Sequence, residues 1–145
     1  MGWTHYWKRD INLPEEPFEM AVKDCKKVFD SLEIELAGSL GHGDCVYDSD
    51  ELLFNGVAGV CCEDFMIKKT QMPKREGRDY VSSFCKTEHM PYDICVQIAL
   101  IILKHHLGDT MSVYSDGKES DWDNSRKLCQ ENLGYGEDFK LDIAD

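Results

Sequence analysis

The chain has 145 residues, enough for one domain whose core needs no disulfide or metal staple. Its hydrophobic fraction of 42% and charged fraction of 30% are ordinary for a globular protein, but its formal net charge of −12 is not. That charge excludes docking on anionic membranes and a direct grip on nucleic-acid backbone, which needs clustered Lys and Arg; it leaves a solubilising surface, or an acidic face that imitates nucleic acid toward a basic protein.

In chain order, Trp3-Thr4-His5-Tyr6-Trp7 predicts a strand ending near Lys8 or Arg9, because aromatics left exposed at a fraying end invite aggregation. Strand alternation puts His5 and Trp7 on one face with Trp3, and Thr4 with Tyr6 on the other. Prolines and acids at Pro14-Glu15-Glu16-Pro17 open a helix over roughly 15–33, with Phe18, Ala21, Val22, Cys25, Val28, Phe29 and Leu32 at helical spacing. Gly38, Gly41 and Gly43 predict a flexible loop. Leu52-Leu53-Phe54 is a short strand, turned by Asn55-Gly56 into a second strand over Val60–Lys68. A polar, basic loop spans Gln71–Asp79, and a third strand of this region spans Tyr80–Thr87. Pro91 opens a second helix over roughly 91–107, apolar on most sides and closed by Gly108. Met111–Tyr114 is a strand ended by the turn Ser115-Asp116-Gly117. Ser120-Asp121-Trp122-Asp123 reads as a capping box for a third helix that stops at Gly134.

The order β-α-β-β-β-α-β-α predicts an α+β fold: one domain over 1–145, a mostly antiparallel sheet of about five strands with three helices, and a loosely ordered acidic tail over 135–145. The first residues lack the apolar run of a secretory leader, and Tyr6 stands where a myristoylation signal needs Ser or Thr. The apolar run Ile94–Leu103 is too short to span a bilayer, so a cytoplasmic location is expected. The seven cysteines contain no Cys-x-x-Cys, which removes zinc-ribbon and thioredoxin readings. Cys25, Cys95 and Cys129 lie in helical apolar stripes and are expected to be buried hydrophobes.

The opening Met1-Gly2-Trp3-Thr4-His5-Tyr6-Trp7 resembles that of a family of short proteins of bacteriophages and prophage-bearing bacteria, which typically begin Met-Gly-Tyr-Thr-His-Tyr-Trp. Phe54-Asn55-Gly56, Glu63-Asp64-Phe65, Phe84-Cys85-Lys86-Thr87, Pro91-Tyr92-Asp93, Ser115-Asp116-Gly117 and Asp121-Trp122 extend the resemblance in order along most of the chain. The resemblance implies a phage context and a host-cell cytoplasm, and it implies no activity, because the family has none assigned.

Three clusters carry candidate chemistry. His5 beside aromatics suits base stacking or general-base work, against a core histidine bonded to a backbone carbonyl. Phe84 to Asp93 hands a strand to a helix N-terminus, where Lys86 and Thr87 suit an anion and Cys85 suits a nucleophile; the alternative is capping by Thr87 or Glu88 and a buried Cys85. Asp116, Asp121 and Asp123 with Glu119 are oxygen ligands for a divalent cation, though their spacing is not that of an EF-hand and turn and cap roles account for them. His42, His105 and His106 follow no metal spacing and are expected at the surface, and the basic loop Lys68–Arg78 is expected to be solvated.

The leading expectation is a non-enzymatic phage protein, without cofactor, that binds a small anionic ligand such as a nucleotide, or a host protein. Its ligand site would combine His5, Trp7, Lys86, Thr87, Tyr92 and Asp116. A hydrolase or transferase using Cys85 or His5 with Asp116 or Asp93 is the second reading, and an acidic module imitating nucleic acid the third.

Overall fold

Period-two burial covers one face of the N-terminal strand, and pairing on both of its edges makes it the middle of a sheet. In the computed structural model, which describes residues 3–143, the elements run β1 (Thr4–Asp10), α1 (Glu15–Asp30), β2 (Leu36–Ala37), β3 (Val46–Tyr47), β4 (Glu51–Gly56), β5 (Phe65–Lys68), β6 (Tyr80–Lys86), α2 (Asp93–Leu107), β7 (Met111–Ser115) and α3 (Asp123–Leu133). Met1 and Gly2 of the opening motif, and Ala144 and Asp145 of the tail, lie outside the described residues. The fold is the expected α+β, with three helices and antiparallel strands.

The strands divide between two sheets. One has the order β6-β1-β7; the other has β4 at its centre, paired with β2, β3 and β5. In β1, His5, Trp7 and Arg9 are buried while Tyr6, Lys8 and Asp10 are exposed, as the alternation requires. An aromatic column ties the sheets to the first helix: Phe29 of α1, Phe54 of β4, Phe65 of β5 and Trp7 of β1 follow one another at centroid spacings of 5.0 Å. Each such pair adds about 0.5–1.5 kcal/mol beyond the burial of its rings. Helix α2 lies in the middle of the core, buried from Cys95 to Leu103, and packs on α1 and α3.

Arg9 closes the joint between the sheets. Its buried guanidinium donates to the carbonyl oxygens of Lys68, Lys69 (2.9 Å) and Ile11 (3.0 Å) and to Gln71 Oε1 (2.7 Å). Burial lowers its pKa to about 10, which leaves it charged at neutral pH.

Several local expectations change. Asn55-Gly56 does not turn a hairpin: both residues end β4, and the turn follows, with Val60 N–H donating to Val57 O at 3.0 Å. Buried Asn55 organises that loop instead, donating to Cys62 O (3.0 Å) and Asp64 Oδ1 (2.8 Å) and accepting from Cys62 N–H (3.2 Å). A Cβ at Gly56 would stand 2.5 Å from Val60 O, so the glycine is required by close approach of the backbone. The strand expected over Val60–Lys68 shortens to Phe65–Lys68, because the loop occupies its first half. Among the described residues Ser120 makes no capping bond; Asp121 Oδ2 accepts from Lys118 N–H at 2.7 Å in a short helical turn before α3. The tail expected to be loose is docked up to residue 143. Phe139 is buried against Trp122, and Asp142 bonds Val113 through both backbone and side chain, covering the free edge of β7.

Candidate functional site

Two regions gather polar and aromatic chemistry, on opposite faces of the β6-β1-β7 sheet. The inner one is a buried network where the strand ends meet α2. Asp93, the first residue of α2, accepts from His5 Nε2 at 2.7 Å, from Thr87 Oγ1, from Trp3 Nε1 at 3.3 Å and from Gln97 Nε2 at 3.3 Å. His5 Nδ1 bonds Ser115 Oγ at 2.8 Å, and Ser125 Oγ holds Gln97 in turn. Burial alone would raise the Asp93 pKa; the hydrogen bond and charge of His5, with Thr87 and Trp3, outweigh it and hold the carboxyl below its usual value.

This network contains several of the expected site residues and explains why they offer no surface to a ligand. His5, Trp7, Thr87 and Tyr92 are fully or almost fully buried, and the polar tips of His5, Thr87 and Tyr92 bond within the protein. The anion expected at the strand-to-helix junction is the protein's own Asp93. Lys86 is exposed and lies 3.4 Å from Glu88. Asp116 sits at the rim, accepting from Thr4 N–H and from Tyr6 Oη, each at 3.0 Å.

Cys85 is corrected as a nucleophile. It is buried, its thiol points to Glu63 O at 3.4 Å, no histidine bonds it among the described residues, and burial raises its pKa well above the usual thiol value. The aspartates considered for a metal part company: Asp116 serves β1, Asp121 the Lys118 turn, and Asp123 pairs with Arg126 at 3.1 Å. Among the described residues no group of His, Cys, Asp and Glu is arranged to hold a metal ion. His106 is not a free surface residue; its Nε2 bonds Asp24 at 2.8 Å, and Tyr135 Oη donates to the same oxygen at 2.6 Å.

The outer region went unrecognised in the sequence. On the uncovered face of the sheet, Tyr6 stands between its cross-strand partners Phe84 and Tyr114. Lys8 lies over the rings of Tyr80 at 5.5 Å and Tyr114 at 5.9 Å, and Arg78 lies 5.3 Å from the Tyr80 ring. Phe84 is 56% exposed and Tyr6 39%, unusual for rings with an available core. Beside them a groove of about 510 Å³ opens between the sheets, lined by Leu53, Met66, Lys74 and Phe84 and by the carboxylates of Glu63 and Asp64, the latter held by Leu40 N–H, Ser39 and Asn55. That volume is the size of a small-ligand site. Lys8, Lys74, Arg75 and Arg78 make no ion pair among the described residues. The signal was present in the alternation of Tyr6 and Lys8 against the Ser82-Ser83-Phe84 segment, once the register is known.

No family model, no curated protein and no solved structure matches the chain. No helix among the described residues is long and apolar enough to cross a membrane.

Proposed function

We propose that the protein binds a small anionic ligand bearing a flat ring, of the nucleotide class, on the outer face of the β6-β1-β7 sheet. The observation that carries this reading is Phe84, exposed between the aromatic face and the groove and shared by both. A ring stacks on Phe84 and Tyr6, at a gain of about 1–3 kcal/mol per stacked ring. Its phosphate takes Lys8, which forms no ion pair among the described residues and stands on the aromatic face away from the groove carboxylates Glu63 and Asp64, with Lys74 at the groove as the second cation. A single nucleotide suits this surface better than a polymer, because the chain's charge of −12 repels a long polyanion far more than a short one. The resemblance of the opening residues to phage proteins supports a nucleotide of an infected cell as the source.

Calorimetric titration with adenosine and guanosine mono- and diphosphates tests this. Wild type should bind at least one of them with Kd on the order of 10–100 µM, and Phe84→Ala should weaken it by roughly tenfold, the equivalent of losing one stacked ring. Absence of binding by all of them at millimolar concentration, or unchanged affinity in Phe84→Ala, would overturn the proposal.

A further inference from the structure

The buried network on the inner face is more than a satisfied core histidine, because a hydroxyl, an imidazole and a carboxylate stand in line at hydrogen-bond distance. A carboxylate only accepts, so a proton lies on His5 Nε2 toward Asp93; when the ring carries that proton alone, Nδ1 is the acceptor that serves as the base. Ser115 Oγ already accepts from Gly117 N–H at 2.9 Å, which leaves its own hydrogen directed to Nδ1 at 2.8 Å. Hydroxyl, base and orienting carboxylate thus stand in the order that activates a serine, with the two ring nitrogens exchanged relative to the usual hydrolase triad. Asp93 is itself fixed by Thr87, Trp3 and Gln97, a supporting shell of the kind that holds a base in one orientation.

Ser115 is half-buried at the end of β7, two residues before Gly117. The Trp3 ring lies on Gly117 so closely that a Cβ there would stand 2.7 Å from it. Trp3 stacks on His89 at 4.1 Å, and His89 sits with Glu88 in consecutive left-handed conformations, φ +60° and +53°. Non-glycine residues held in that region store about 1–3 kcal/mol each and gather at functional sites.

We infer that Ser115, activated by His5 and oriented through Asp93, is an acyl-accepting nucleophile for a small ester, with Trp3 as the cap over it. Ser115 Oγ bonds to the ester carbonyl carbon as its proton passes to His5 Nδ1. The bond to the leaving alcohol breaks, and the alcohol takes that proton. Water then adds to the acyl carbon, its proton passing through Nδ1 to Ser115 Oγ as the acyl–Oγ bond breaks. The Gly117 N–H, bonded to Oγ, holds the hydroxyl in place for transfer of its proton to Nδ1.

The test is covalent labelling of the full chain with a fluorophosphonate and with p-nitrophenyl acetate, read by peptide mass. Adduct should appear on Ser115, be absent in Ser115→Ala, and form at least about 100-fold more slowly in Asp93→Asn. Ser115→Cys gives a reading that keeps the triad's carboxylate. The thiol introduced by Ser115→Cys should alkylate with iodoacetamide at pH 6 at least about tenfold faster than the part-exposed Cys61 of the same chain. No adduct on Ser115 in folded wild type, or an introduced thiol no faster than Cys61, would overturn the inference.

Discussion

At the scale of single residues, Asp93 is the group whose protonation matters most to stability. Its folded-state pKa lies below the usual carboxylate value, so as pH falls the unfolded chain takes up the proton first. The stability it contributes is therefore full above about pH 5 and lost progressively as pH drops through the carboxylate range. Asp93→Asn should cost about 1–3 kcal/mol at pH 7, and urea midpoints should show that gap narrowing toward pH 3. A gap of constant size would show that the carboxylate's charge is not what His5, Thr87 and Trp3 hold. The pairing of His5 with Asp93 was open in the sequence as one of several, with no motif to single it out. His5 stands 88 positions from Asp93 and 110 from Ser115, and only the pairing of β1 with β7 and the start of α2 beside them bring the three together. Residue types were legible, and His5 with Asp93 was one of the pairings they allowed; the choice among those pairings, and the place of Ser115 beside His5, were not.

Among the elements, local pattern served wherever one physical cause dominates. The period-two burial of β1, the apolar stripe of α1 and the uniformly buried α2 follow from side-chain spacing alone. Asn55-Gly56 misled because the same pair that turns a hairpin also ends a strand when a neighbouring loop presses on the glycine. The Thr87–Met90 turn was equally hidden, since Glu88 and His89 are poor residues for a turn with two positive φ values, closed by Met90 N–H to Thr87 O at 3.0 Å. Glu88→Asn should therefore stabilise the fold by about 0.5–1 kcal/mol, the exposed pair with Lys86 being worth little, and raise Tm by roughly 1–4 °C in a thermal melt. Arg9 should behave in the opposite way. Arg9→Met removes the side-chain donor to Lys68 O and Gln71 Oε1, while Lys69 O keeps Leu13 N–H and Ile11 O keeps Gln71 N–H, and the urea midpoint should fall by the equivalent of about 1–3 kcal/mol.

Across the whole molecule, charge is unevenly placed. Six of the 16 Lys and Arg, and only two of the 28 acids, fall between Phe65 and Lys86, the segment that carries β5, the basic loop and β6. The net charge of −12 hides this local excess, which is why composition alone argues against nucleic-acid backbone while leaving a small anion open. Binding of a nucleotide on this side should weaken with salt, and Lys8→Gln should reduce both the affinity and its salt dependence in titrations at two ionic strengths.

The most direct test of the binding face is a nuclear magnetic resonance titration of the labelled protein with the nucleotide that binds in calorimetry. The ring resonances of Tyr6, Phe84 and Tyr114 should shift together with the amides of Lys8 and Ser82, while the indoles of Trp7 and Trp122 stay in place. Shifts confined to the His5–Asp93 end of the sheet, or to the exposed basic loop alone, would contradict a binding site on this face.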